Sequence, residues 1–475
     1  MVATLPATRP ALVISAGNAL SRATGFVRVV AVGAALGTTY LGNTYQSANL
    51  VSNVLFEVLA AGMLSAPLVP AFVGLLDTGR EREAERLAGA LLGPALLGLG
   101  VLVVVLAVGG RAVMQLLTMG VDDPAVREAE VRLGAFLLWF FLPQMLFYAV
   151  GAVTTAMLNA RRRFAAAALA PIANNVVVTA TMVAFMLVGP GEPTMGLSTG
   201  DKLLLGLGTT GGVLAMTLVP VLALRRLGMR LRPRLARGVP ALREVARAGA
   251  WAGVLLAATQ LLIGVTLVLA NRVAGGVVAF QIAFTFFLLP FALLAHPVIT
   301  AVFPTLAEHV HAGDRAAFRR ETGSALSRVL VLVVPASAMT AALAAPVLGL
   351  VRLGEMDRAG VRFVGRVLAA YAVGLGGYAA FQLLARAATA AGEGKLAALV
   401  GLGVTAVGAV LMTVLSSAAE GRDRVVVLGL AHSVAVTLGA VVLHRLLFHR
   451  SGGENPASDA GFSPPERPAG QGATA

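Results

Sequence analysis

"VPAFVGLLDTGREREAERLAGALL", residues 69–92, holds the end of one apolar run, a proline, a short loop with glycine and arginines, and the start of the next run. The same order returns 234 residues later in "FPTLAEHVHAGDRAAFRRETGSAL", residues 303–326. Pro70 lies over Pro304, Gly79 over Gly313, Arg86 over Arg320, Gly89 over Gly323 and Leu92 over Leu326. Each copy reads as two helices joined by a tight basic loop, so the chain reads as a duplicated unit.

Composition says what solvent surrounds those helices. Of 475 residues, 57% are hydrophobic and 13% charged, against about 25% charged in soluble domains. Mean hydropathy is +0.84. A soluble chain of this length has no interior large enough for so much apolar surface, so the solvent is lipid. Spans of about 20 apolar residues centre near residues 24, 60, 98, 145, 176, 212, 260, 289, 338, 378, 406 and 435. They lack the alternation of barrel strands, and open sheet edges cannot face lipid, which leaves helices. The expected fold is an all-α polytopic membrane protein of about twelve helices. The opening "MVATLPATRP" reads as the approach to a first span rather than a removable signal peptide.

Arginine placement divides and orients the chain. The net charge is +14, with 37 Lys+Arg against 23 Asp+Glu. In a membrane protein such basicity marks cytoplasmic loops rather than nucleic acid. Arg80, Arg82 and Arg86, then Arg161, Arg162 and Arg163, fall in alternate loops, and "LRRLGMRLRPRLARGVPALREVARAG" crowds the sixth connection. Both termini are therefore expected in the cytoplasm, although the outward segment 352–366 carries four arginines of its own. The division is six spans in 1–224, an Arg-rich connection at 225–247, six spans in 248–450, and a disordered Pro/Gly/Ser-rich tail at 451–475. An even number of spans keeps both copies in one orientation. The halves then form a parallel repeat about the membrane normal, with a binding site between them.

No Walker A loop, HExxH or Ser-His-Asp arrangement is legible, and cysteine is absent, which removes disulfides and thiolate metal sites. The two histidines of His309-Val310-His311 read as solvated loop residues. Glu57 is the one carboxylate expected inside the membrane, so neither catalysis, a metal nor a cofactor is expected, and a secondary transporter is. Polar residues concentrate in particular spans: Arg22 and Arg28 in the first; Asn43, Gln46, Asn49, Asn53 and Glu57 along one face of the second; Gln281 in the eighth; Arg386 in the tenth. Isolated amides read as interhelical hydrogen-bond partners. Arg22 is different: it sits about 16 Å into its span at 1.5 Å per residue, where a cation costs roughly 2.5–3.5 kcal/mol or more. Either Glu57 neutralises one of the arginines or a water-filled cavity receives an anion there. Pro67, Pro70, Pro290 and Pro297 interrupt the second and eighth spans, where a transporter bends.

Four stretches carry a resemblance: "LSRATGFVR" (20–28), "GMLSAPLVPAF" (62–72), "LNARRRFAAAALAPIANN" (158–175) and "YAVGLGGYAAFQLLARAATAAGEGK" (371–395). Together they resemble the MurJ/MviN lipid II flippases of the multidrug/oligosaccharidyl-lipid/polysaccharide exporter superfamily, as a divergent member. The resemblance implies that Arg22 and Arg28 line a central cavity and meet the diphosphate of a polyprenyl-linked saccharide. It also implies a bacterial cytoplasmic membrane and outward transfer by alternating access. This chain departs from the family's usual pattern, with Asn43 for an acid, Ser52-Asn53 for Pro-Asn, Phe56-Glu57 for an arginine pair, Thr285 for an arginine and Val29 for an acid. Those departures keep two alternatives open. One is export of another lipid-linked glycan. The other is a non-transporting scaffold that docks cell-wall synthesis proteins on the Arg-rich connection.

Overall fold

The computed structural model describes residues 9–63, 68–190, 194–235, 240–350 and 357–450; Pro67 and the tail at 451–475 lie outside them. The first half contains α1 (Arg9–Leu36), α2 (Tyr40–Met63), α3 (Leu68–Asp77), α4 (Glu81–Val108), α5 (Gly110–Leu117), α6 (Pro124–Phe141), α7 (Gln144–Ala160), α8 (Phe164–Val188) and α9 (Thr199–Arg226). The second contains α10 (Pro240–Ala270), α11 (Gly276–Pro290), a π turn (Phe291–Ala295), α12 (His296–His311), α13 (Arg315–Leu350), α14 (Arg358–Ala372), α15 (Leu375–Ala390), α16 (Gly394–Ala418) and α17 (Asp423–Arg450). No strand occurs among the described residues.

Among those residues nine helical stretches are long and apolar enough to cross a membrane, and the pair α14–α15, bent by 47°, makes a tenth. α2 falls outside that set because it carries Asn43, Gln46, Asn49 and Asn53. Lipid, not water, is the solvent for the outward faces: on α4, Leu97, Val101, Val104, Val105 and Val108 are all exposed. Toward its N-terminal end the inward face is mostly small, with Ala84, Ala88, Gly89 and Gly93 buried beside Leu91 and Leu92. Small faces let helix backbones approach where no hydrophobic force drives them together.

The two quoted stretches fold alike. Gly79 and Gly313 both end a helix with φ near +70° (72° and 70°). In each turn the next backbone N–H reaches back five residues: Arg80 N to Leu75 O at 2.9 Å, Asp314 N to His309 O at 2.9 Å. This is the left-handed C-terminal cap that glycine adopts without steric cost. The packing repeats as well. α1 lies on α8 and α8 on α9; α10 lies on α16 and α16 on α17.

The connection at 225–247 is not a free loop over its described part. Arg230 N donates to Glu85 Oε1 at 2.7 Å, and Arg234 N donates to Gly89 O at 2.9 Å. Side chains at Gly89 or Gly93 would collide with the Arg232 and Arg234 carbonyls, so the strap lies flat along α4. Likewise, Arg358, Arg362 and Arg366 of the segment at 352–366 belong to α14.

One end of the molecule is closed by a polar seam between the halves. Asn43 Nδ2 donates to Val273 O at 2.8 Å, and its Oδ1 accepts from Val277 N at 2.9 Å. Ser47 and Asn271 bond each other, and Asn271 Nδ2 also reaches Leu117 O at 3.1 Å. Gly275, with φ of +72°, presses on Thr38 so closely that a Cβ would collide with it. Arg424 reaches Asp122 at 3.6 Å across the same end. The opposite end carries the basic turns around Arg80, Arg161–Arg163 and Arg225–Arg226.

Candidate functional site

Beneath the seam, at mid-depth, lies a cavity of about 220 Å³ between α1, α2, α7, α8, α9 and α11. Arg28 is the only charged residue in its lining, and amides surround it: Gln46, Asn49, Asn53, Asn174 and Gln281. Tyr45, Tyr148 and Thr209 add hydroxyls. The Tyr45 hydroxyl and Thr209 Oγ1 are 2.7 Å apart, which fixes the ring against α9.

Two polar atoms in this lining are buried and lack a partner: Arg28 Nε, a donor, and Asn174 Oδ1, an acceptor. Buried polar groups are nearly always bonded, so an unpartnered donor and an unpartnered acceptor in one cavity leave it able to bond a polar ligand. No ion pair to Arg28 forms among the described residues. A guanidinium that cannot deprotonate, set beside amides and without a carboxylate, accepts an anion. The amide and hydroxyl lining suits a ligand rich in hydroxyls.

The structure brings together some of the residues singled out from sequence and separates others. Arg28, Asn53 and Gln281 share the cavity lining. Arg22 is exposed on α1, about 9 Å along the axis from Arg28 toward the basic end. Asn43 is fully buried in the seam rather than in the cavity. Glu57 accepts a hydrogen bond from Gln260 of α10 and pairs with neither arginine. Arg386 is exposed on α15. Pro70 falls in the first turn of α3. Pro290 ends α11, Pro297 opens α12, and the π turn lies between them.

Two buried titratable groups escaped the sequence reading. Glu130 is fully buried; its Oε1 accepts from Thr44 Oγ1 at 3.2 Å, and its Oε2 has no partner. It sits in a charged stretch, Arg127-Glu128-Ala129-Glu130, that resembles a surface loop. Its position on the face of Val126, Leu133 and Leu137, at helical spacing, was the available signal. His432 is the other, enclosed by Phe284, Phe287 and Tyr371.

Known proteins match most of this chain. Residues 32–458 match the family described as lipid II flippase MurJ. A probable lipid II flippase MurJ of Rhizobium meliloti (strain 1021) is 26% identical over 365 residues, covering 75% of this chain and 65% of that protein. The aligned region thus spans just under two thirds of that relative's length. A solved structure of a lipid II flippase MurJ in an inward closed conformation superposes with a TM-score of 0.75 at 19% identity, over 92% of this chain and 87% of the other. An inward-facing multidrug resistance MATE family transporter of the MOP superfamily gives a TM-score of 0.70 at 11% identity, over 94% and 96%. At those identities the structures speak for the fold alone. Nine to ten apolar spans among the described residues, a cavity lined by Arg28 and amides, and a family match over residues 32–458 lead to one assignment: this multi-pass bacterial membrane protein belongs to the lipid II flippase MurJ family.

Proposed function

We propose that the protein moves a polyprenyl-diphosphate-linked saccharide of the lipid II type from the inner to the outer leaflet, as a secondary transporter and not an enzyme. The observation that carries this reading is Arg28, unpaired and with a free Nε, at mid-depth in a cavity otherwise lined by amides and hydroxyls. A diphosphate meets the guanidinium through charge-assisted bonds, and sugar hydroxyls meet Asn49, Asn53, Asn174 and Gln281. Without such partners, burying the anion in a low-dielectric slab is prohibitive. Arg22, exposed toward the basic end, meets the anion on its way in.

In this reading the basic end faces the cytoplasm, as the positive-inside rule directs, and both termini lie there. The sealed seam then faces outward, and the structure is the inward-facing state. The six-helix halves, 1–224 and 248–450, rock about the cavity, with the π turn between α11 and α12 as the place of bending. π turns inside helices occur frequently at functional sites. The laid-down strap at 230–234 leaves little free loop for a docking scaffold, which favours transport over that alternative.

The deciding experiment uses bacterial cells whose resident lipid II flippase can be shut off. Expression of this chain should restore lipid II exposure on the outer face, and Arg28→Ala should not, at equal amounts in the membrane. Absence of rescue by the wild-type chain would rule out lipid II and shift the reading to another lipid-linked glycan.

A further inference from the structure

A second space, larger than the polar cavity, opens between α11, the π turn and α13, with a volume of about 430 Å³. Phe286, Leu289, Leu293, Met339 and Leu343 line it, and Leu368 of α14 lies at its floor. Thr340 is the one polar side chain there, and its hydroxyl is spent on Ala336 O at 2.8 Å. The groove therefore offers no hydrogen bond to any ligand. It is open to the outside, with Leu293 57% and Met339 61% exposed.

Depth says what covers it. Phe286 and Leu293 lie ten and seventeen residues from the start of α11, about 15 and 26 Å along the helix. That is the hydrocarbon region, where an open apolar groove holds alkyl chain and not water. Position says whose chain. α11 presents Gln281 to the polar cavity and Phe286 to the groove, about 7.5 Å apart along one helix. Phe286 also packs on Phe26 of α1, with ring centroids 5.1 Å apart, and Phe26 is two residues from Arg28. A membrane phospholipid keeps its headgroup at the surface, whereas a lipid whose anionic head is drawn to Arg28 starts its chain at mid-depth, beside Phe286.

Resting on the transport reading above, we propose that the groove between α11 and α13 seats the polyprenyl chain of the transported lipid while its diphosphate is held at Arg28. The groove is then a binding subsite for the tail, built by the π turn that follows Pro290, and headgroup and tail are read by one helix.

The test uses the full chain in nanodiscs with a polyprenyl-diphosphate saccharide carrying a diazirine in its prenyl chain, and, separately, a phosphatidylcholine carrying the diazirine in an acyl chain. Irradiation followed by peptide mapping should place the prenyl label on segments 286–294 and 336–344, and excess unlabelled polyprenyl-diphosphate saccharide should remove it. Leu343→Trp and the milder Leu343→Phe, which fill the groove, should weaken prenyl labelling there about tenfold or more, the scale of a disturbed hydrophobic pocket. Equal labelling by the phosphatidylcholine probe, not displaced by the prenyl lipid, would overturn the proposal. So would headgroup transfer by the same protein in liposomes with no prenyl label in the groove, which leaves the transport reading standing. Failure of the wild-type protein to transfer the headgroup sinks the transport reading, and the subsite with it.

Discussion

Arg28 and Asn43 are both polar residues of the membrane interior, and the structure gives them opposite work. Depth along the span singles out Arg22, which the structure leaves exposed toward the basic end, whereas Arg28, singled out by the resemblance, lines the cavity. Replacing Arg28 by alanine should abolish transfer while the protein still reaches the membrane, and lysine should restore only part, since an ammonium lacks the planar fork; outer-face lipid II exposure measures both. Asn43 shares one helical face of the second span with Gln46, Asn49, Asn53 and Glu57, which makes it a candidate for the same cavity. That face was real, but a helix crossing the whole membrane meets different neighbours at each depth. Its first residue joins the seam, its middle ones line the cavity, and Glu57 meets Gln260. Neither partner can be seen in a linear pattern. Asn43→Ala removes two buried hydrogen bonds, each worth about 1 kcal/mol and more where a partner is left bare. The thermal midpoint of the purified protein should fall; an unchanged midpoint would show the seam to be held by other contacts.

At the scale of elements, the repeat was the most legible feature, because both copies need the same left-handed turn and only glycine supplies it cheaply. Gly79→Ala and Gly313→Ala should each cost roughly 1–2 kcal/mol, and the two should act alike in denaturation of the purified protein. A loss at one turn only would mean that the two turns are not equivalent. The strap along α4 was hidden for a physical reason. Its anchors are backbone N–H groups donating to Glu85 and to the Gly89 carbonyl, and backbone bonds leave no mark on the arginine-rich side-chain pattern. Gly89→Leu should push the strap away and destabilise the protein by about 1–3 kcal/mol, as overpacking does. Proteolysis should then cut between Met229 and Leu235 faster than in the wild type; equal rates would show that the strap does not depend on that shelf.

At the scale of the molecule, the fold class followed from composition alone, whereas the closed end did not, since it is made by turns far apart in the chain. It offers a direct handle. Gly360 lies against Thr38, where an added Cβ would touch the Thr38 side chain, so a cysteine pair there spans the closed end, and the chain has no cysteine to confuse the result. The double variant Thr38→Cys/Gly360→Cys should stop transfer when oxidised and regain it with reductant; transfer that persists in the crosslinked protein would mean that this end never has to part. Asn43 carries a further consequence. Gly275 precedes α11 without a side-chain cap, and the Val277 N–H that needs one finds it on α2. Parting the halves therefore strips a helix of its end, and the bared turn begins four residues before Gln281. Gatepost and binding floor are successive windings of one coil, so a ligand that steadies the floor pulls against the departure of the post.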